Sequence, residues 1–282
     1  MKHRIGIFVP ARNVAATILK VLERIPKSVL ETSEVLVIDN ASSDGTGNLV
    51  LQYAKHSPLK LRLYRTHKNV GYGGSQKSAF ALAIDEGYDA LAILHGDGQY
   101  PAELLPLILG PVVNNEADFC FGSRITGKPL EGSMGLIRYW GNRFLTRLQN
   151  KIADTQLSEW HTGFRAFRCD ALSKIPFQMC SDYYDMDTEV TLQFALKKLR
   201  IREVTIPTLY NRQTQSMPIL PYIPRMTRTL AQATFHQLGL IACEKYNTAR
   251  SFEKDSSLQR LMQQLSQPAL EQDGLSSGRD TV

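Results

Sequence analysis

Through roughly its first 120 residues the chain alternates short β-branched runs with helical apolar spacings, and no other feature restricts its fold as much. The strand-like runs are 5–9, 34–38, 59–64, 90–94 and 119–121, and helical spacing falls over 14–24, 49–54 and 74–86. Strands that alternate with helices pair in parallel through right-handed crossovers. The expected fold is therefore α/β, a doubly wound, mostly parallel sheet flanked by helices. Beyond it, 138–152 and 188–198 read as helices and 201–206 as a further strand. A C-terminal helical extension follows.

In an open sheet of this kind ligands gather at the carboxyl ends of the strands. The residues that follow the strand runs are Pro10-Ala11-Arg12-Asn13, Asp39-Asn40-Ala41-Ser42 and His95-Gly96-Asp97-Gly98-Gln99. Polar and acidic groups thus collect at the expected ligand edge.

Composition narrows the partners. A net charge of +6 favours an acidic partner without choosing among nucleic acid, anionic membrane and phosphorylated substrate. The excess is uneven, because 197–250 holds nine basic residues against Glu203 and Glu244. The basic residues lack interleaved aromatic platforms, so no nucleic-acid partner is expected. Cys120, Cys169, Cys180 and Cys243 form no CxxC pair, which argues against a zinc knuckle or a redox dithiol. No run reaches the roughly 18–20 apolar residues of a membrane span. The expected location is cytoplasmic, peripheral on the inner face of a membrane. Residues 218–240 mix apolar side chains with Arg225, Arg228 and His236 and read as an interfacial helix, or as one joining two copies in a homo-oligomer. The tail 251–282 is poor in aromatics and is expected to be largely disordered, apart from a short helix near 258–265.

Asp97 ends a buried strand with Gln99 two positions on and His95 two positions before, a pattern able to hold a divalent cation that neutralises a diphosphate. Asp97-Gly98 is equally a common turn dipeptide. Asp39 at a strand tip can accept from a base N–H or a ribose hydroxyl. Asp44 reads better as a helix N-cap than as a ligand. The glycine-rich 69–77 lets backbone approach a ligand but is neither a Walker loop nor GxGxxG. Trp160-His161-Thr162-Gly163-Phe164-Arg165 sets an imidazole, a hydroxyl and a guanidinium around a glycine, and a buried turn explains it as well. Asp187 and Glu189 would diverge by about 200° on a helix and so would not pair as acid and base, whereas in a strand or a pre-helical turn they could share a face.

Taken in order, these segments resemble the family 2 glycosyltransferases of the GT-A fold, and within them the polyprenyl-phosphate, dolichol-phosphate mannose synthase-like enzymes. The matching stretches are Val9-Pro10-Ala11-Arg12-Asn13, 37–46, Asn69-Val70-Gly71, 95–101, Gly122-Ser123-Arg124, 161–167 and Glu203-Val204-Thr205-Ile206-Pro207. The resemblance implies a nucleoside-diphosphate sugar donor, a Mg²⁺ or Mn²⁺ ion and a polyprenyl-phosphate acceptor at a membrane surface. It implies a donor half over 1–125, an acceptor half over 126–215 and the helical extension over 216–250. The nucleotide-sugar set is Pro10, Arg12, Asn13, Asp39, Ser42, Gly71, Lys77, His95 and Asp97. The metal set is Asp97, Gln99 and His95. Arg138, Asn142, His161, Arg165 and Arg212 form the acceptor and phosphate set, and Arg124 joins Asp97, Asp187 and Glu189 as catalytic candidates. Two positions depart from the family pattern. Arg12-Asn13-Val14 stands where Tyr-Asn-Glu is usual, and His95 replaces the first acid of Asp-x-Asp. Imidazole suits Mn²⁺ better than Mg²⁺.

An inverting transfer of a hexose follows. A phosphate acceptor is already anionic and needs no base. A sugar or other hydroxyl acceptor would need Asp187 or Glu189. A non-catalytic nucleotide-sugar-binding protein is the remaining alternative.

Overall fold

The computed structural model describes residues 3–127, 134–208 and 219–266. Its strands are β1 (Ile5–Ala11), β2 (Ser33–Asp39), β3 (Leu61–Thr66), β4 (Ala90–Ile93), β5 (Phe119–Ser123), β6 (Arg165–Arg168), β7 (Ile201–Thr205) and β8 (Leu265–Ser266). Its α-helices are α1 (Ile18–Glu23), α2 (Lys27–Leu30), α3 (Thr46–His56), α4 (Tyr72–Asp85), α5 (Leu105–Val113), α6 (Leu136–Ala153), α7 (Cys169–Leu172), α8 (Met186–Leu196), α9 (Ile219–Gln237) and α10 (Ser256–Met262).

All eight strands form one sheet in the order β7-β5-β6-β4-β1-β2-β3-β8. Pairing is parallel between β1 and β2, β1 and β4, β2 and β3, and β5 and β7. The expected doubly wound, mostly parallel sheet is present. Both faces of its central strands are buried, as crossover helices require. Ile5, Ile7 and Val9 pack on one side with α1 and α5, while Phe8, Leu36 and Ile38 pack on the other with α4 and α8.

Two strands escaped the sequence reading. β6 begins at Arg165, the last residue of the segment read as a turn, and runs antiparallel to both neighbours, Ile93 opposite Arg165 and Phe121 opposite Arg165. Four residues give too short a stretch for a period to show. β8 pairs antiparallel with the end of β3, Thr66 opposite Leu265. The tail from residue 251 is described to Ser266, and the short helix expected near 258–265 is α10. Asp255 caps α10 by accepting the Leu258 N–H, and Leu258 is buried against the α4 side of the core. Residues 267–282 lie outside the described part.

The long C-terminal helix also departs from expectation. Tyr222, Met226, Leu230 and Ala233 of α9 are buried, the first three beside Ile152 of α6. The helix read as interfacial thus buries part of its apolar surface on its own chain, while Ile223, Phe235, Leu238 and Leu240 stay exposed. Arg225 stacks over the Tyr183 ring at 3.6 Å.

Leu258→Ala tests the order of the tail. It should lower the unfolding free energy by about 2–4 kcal/mol with an unchanged denaturant slope. A change within about 0.5 kcal/mol, as for a surface position, would contradict the packing.

Candidate active site

Three strand ends converge at one edge. Ala11 of β1 lies beside Asp39 of β2, and Phe8 beside Ile93 of β4. This register sets the loops after β1 and β2 side by side. Arg12 donates to the Asn40 carbonyl at 2.7 Å, the Asn13 N–H donates to Ser42 Oγ at 2.9 Å, and the Ser43 N–H donates to Asn13 Oδ1 at 2.9 Å. Asn13 and Ala41 both take a left-handed φ, 51° and 52°. Such backbone costs about 1–3 kcal/mol at a non-glycine residue and persists only where the surroundings over-determine it. The crossed bonds between the loops do so here.

Asn40, not singled out from sequence, is the hub of this edge. Its Oδ1 accepts from the Thr66 hydroxyl and the Val70 N–H, and its Nδ2 donates to Asn69 Oδ1 and the Gly71 carbonyl. Gly71 itself has φ 81°, and a Cβ there would stand 2.1 Å from the Asp182 carbonyl oxygen. Asp44 accepts from Thr46 N–H and from Ala15 N–H, so it pins α3 to the β1 loop, while Gly45 occupies the cap position. Beside these loops opens a cavity of about 360 Å³ lined by Asp39, Ser42, Ser43, Gly45, Gly47 and Arg65. Asp39 accepts the Ser42 N–H at 3.0 Å and faces Arg65 at 3.7 Å. A side chain at position 47 would fall on that pair, 2.2 Å from Asp39 Oδ2.

A second cluster surrounds His95. Gln99 donates to its Nδ1 at 2.9 Å, which leaves the proton on Nε2, 3.3 Å from the Tyr72 hydroxyl. Tyr72 in turn donates to Asp187 Oδ2 at 3.1 Å, and Gln76 donates to Asp187 Oδ1 at 3.0 Å. Burial lowers the His95 pKa, with Asp97 and Asp187 opposing, so the ring is neutral. Burial together with the Asp187 charge raises that of Tyr72. Asp97 is buried and accepts the Gln99 N–H at 3.1 Å.

The third cluster sits where β5 ends. Glu159 is fully buried and receives the Arg124 N–H at 2.7 Å, Arg124 Nε at 3.0 Å, the Arg124 Nη2 and Asn142 Nδ2 at 2.9 Å. Burial would raise the Glu159 pKa, but the Arg124 charge and these donors outweigh it and hold it below the usual carboxyl range. Arg124 also donates to the His161 carbonyl. His161 Nδ1 lies 3.0 Å from the Tyr222 hydroxyl, and burial drives its pKa down to about 4.

Several expected ligands have other partners. Arg165 is buried and donates to the carbonyls of Thr162, Asp187 and Trp160, so it braces the α8 start. Lys77 donates to the Cys180 carbonyl and pairs with Asp182 at 2.6 Å. Glu189 accepts from Ser181 N–H and pairs with Lys245 at 2.5 Å; it belongs to a buried ion pair and not to the Asp187 cluster. His95 and Gln99 bond to each other rather than converging with Asp97 on one point. Among the described residues no group of three His, Cys, Asp or Glu side chains could hold a metal ion. Asp97 as a lone carboxylate does suit a Mg²⁺- or Mn²⁺-type ion that takes its other oxygens from water and a diphosphate. Pro10 lies half-buried in β1 at this edge, and Arg138 is exposed on α6. Arg212 lies outside the described residues. Asn40, Tyr72, Gln76 and Glu159 were missed, and for Glu159 the sequence offers only a lone acid next to Trp160-His161.

A cavity at the carboxyl edge of a doubly wound sheet, with carboxylates following two of its strands, is where such folds bind ligands. The family model described as glycosyl transferase family 2 matches residues 6–176. An undecaprenyl-phosphate mannosyltransferase of Micrococcus luteus is 32% identical over 208 residues, 72% of this chain and 82% of that one. A UDP-N-acetylglucosamine–dolichyl-phosphate N-acetylglucosaminyltransferase of Methanococcus voltae is 22% identical, covering 75% and 88%. The crystal structure of glucosyl-3-phosphoglycerate synthase from Mycobacterium tuberculosis with Mn²⁺, UDP-glucose and phosphoglyceric acid superposes with a TM-score of 0.59 at 17% identity, covering 85% of this chain and 81% of that one. The chain belongs to glycosyl transferase family 2 and has the GT-A fold.

Glu159→Gln would leave the buried Arg124 charge without its counter-charge, and stability at pH 7 should fall by about 3–5 kcal/mol. Because the native Glu159 pKa is lowered, its contribution is complete above about pH 4.3, the unfolded value, and is lost as pH falls through the native one. The gap between wild type and Glu159→Gln in denaturant titrations should therefore close on acidification below about pH 4. A pH-independent gap would refute the charge assignment.

Proposed function

We propose that the protein transfers a hexose from a nucleoside-diphosphate sugar to a polyprenyl phosphate, with inversion at the anomeric carbon. One observation carries the choice of acceptor. The three carboxylates near the acceptor side, Asp187, Glu189 and Glu159, are each held by at least two donors. A hydroxyl acceptor needs a base to take its proton, whereas a phosphate monoester arrives as an anion and needs none. The names of the relatives support the same acceptor class.

In this reading a phosphate oxygen of the acceptor attacks the anomeric carbon as the bond to the donor diphosphate breaks, and the nucleoside diphosphate leaves with the electron pair. Asp39 and the Ser42–Gly47 turn hold the nucleoside in the cavity beside β2. Asp97 would hold the divalent cation, which when bound neutralises charge on the departing diphosphate. Neutral His95, fixed by Gln99 at Nδ1 and by Tyr72 at Nε2, helps shape the donor side beside Asp97. Arg124 is positioned by Glu159 for the sugar or acceptor phosphate, and Arg138 on α6 serves the acceptor phosphate. Catalysis then rests on positioning and charge stabilisation.

Two substitutions test this with a panel of nucleoside-diphosphate sugars, Mn²⁺ or Mg²⁺ and a short-chain polyprenyl phosphate. Asp97→Ala should lower turnover at least about a hundredfold. Asp187→Asn should lower it less than about tenfold, since a general base contributes about 10²–10⁴. A loss of several orders of magnitude in Asp187→Asn, with transfer to a sugar hydroxyl in the wild type, would assign a hydroxyl acceptor instead.

A further inference from the structure

α6 has two opposed faces. Asn142, Thr146, Gln149 and Ala153 are buried, and Asn142 reaches Glu159 in the active site. At 100° per residue the opposite side carries Leu136, Ile137, Trp140, Phe144 and Leu148. These are exposed, Ile137 by 90%, Phe144 by 68%, Leu136 by 64% and Trp140 by 60%. A contiguous apolar stripe of this kind is uncommon on a soluble surface and marks a place where something docks. The charge on the helix identifies the occupant. Its basic residues are Arg138, Arg143, Arg147 and Lys151, and it has no acidic one. Arg147 and Lys151 are exposed and share the stripe's side of the helix, and Arg143 packs over the Tyr139 ring.

We propose that this outer face of α6 docks on an anionic lipid bilayer, with Ile137, Trp140 and Phe144 entering the interfacial layer and Arg147 and Lys151 meeting the headgroups. Aromatic and aliphatic side chains flanked only by cations match a surface that is apolar within and negative at its rim. A second copy of the chain matches less well. A two-fold contact sets the same patch against itself and would bring the like charges of both helices together. The surface complements the polyprenyl-phosphate reading but rests on the geometry of α6 alone. No helix among the described residues is long and apolar enough to cross a membrane. Docking through α6 would give the site its access to a lipid-borne phosphate.

The test uses the full chain with vesicles of phosphatidylcholine, with or without phosphatidylglycerol and free of polyprenyl phosphate. The chain's two tryptophans are Trp140, exposed, and Trp160, buried, so a shift in emission on binding reports Trp140. Wild type should float with the anionic vesicles, blue-shift its emission and release at high salt. Trp140→Ser with Phe144→Ser should weaken binding by about tenfold or more. Arg147→Gln with Lys151→Gln should weaken it by about thirtyfold while melting temperature and donor binding stay unchanged. Failure of wild type to float, or flotation without the blue shift, overturns the proposal. So does a dimer of the wild type in sedimentation that W140S/F144S converts to monomer without any vesicle binding. Transfer to a detergent-dispersed polyprenyl phosphate is measured separately, so loss of docking and loss of the acceptor assignment give different patterns.

Discussion

The Glu159 carboxylate holds together three parts of the chain that are far apart in sequence: Arg124 after β5, the loop that carries His161, and α6 through Asn142. A charge buried this fully persists only if paired and hydrogen-bonded, and Glu159 receives four donors from two residues. The orientation of α6 on the sheet edge follows from that requirement. With Asn142 drawn inward to Glu159, helical geometry turns Trp140 and Phe144 outward. The composition of the exposed face is thus tied to the buried pair on the other side of the same helix.

The donor side obeys a different constraint. Parallel register between β1 and β2 leaves their loops adjacent, and the two positive-φ residues Asn13 and Ala41 close the space between them. Asn40 then uses every hydrogen-bonding position of its amide to tie β2, β3 and the turn before α4. The resulting rim is preorganised, so that Asp39 and the cavity beside it need little rearrangement to receive a ligand.

Much of this was legible before the structure. Buried parallel strands write themselves as uninterrupted apolar runs, and the polar residues at their ends name the ligand edge, so Asp39, His95 and Asp97 stood out. What was not legible depends on long-range partners. The Arg165 and Lys77 side chains look like phosphate ligands in a list of residues, yet each is consumed by carbonyls and acids brought near only by folding. β6 is too short to show a period, and its antiparallel insertion between β4 and β5 has no local signal. α9 and α6 are both basic and carry apolar residues, so sequence pattern did not say which of those residues each helix buries on its own chain.

Charge counted along the chain misleads for the same reason. The basic stretch from Lys197 to Arg250 suggested an anion-binding surface, but Arg200 pairs with Asp118, Arg202 with Glu116, Lys245 with Glu189 and Arg250 with Glu244. Three of these four acids come from outside the stretch, so folding offsets part of the local excess. On α6 exposed basic residues stand beside apolar ones with no acid in the helix, a combination that attracts an anionic apolar surface where either feature alone would not. An α-helix with its side chains is about 10–12 Å across. A lipid phosphate held at the outer face of α6 is therefore about one helix diameter from the Glu159 and Arg124 side.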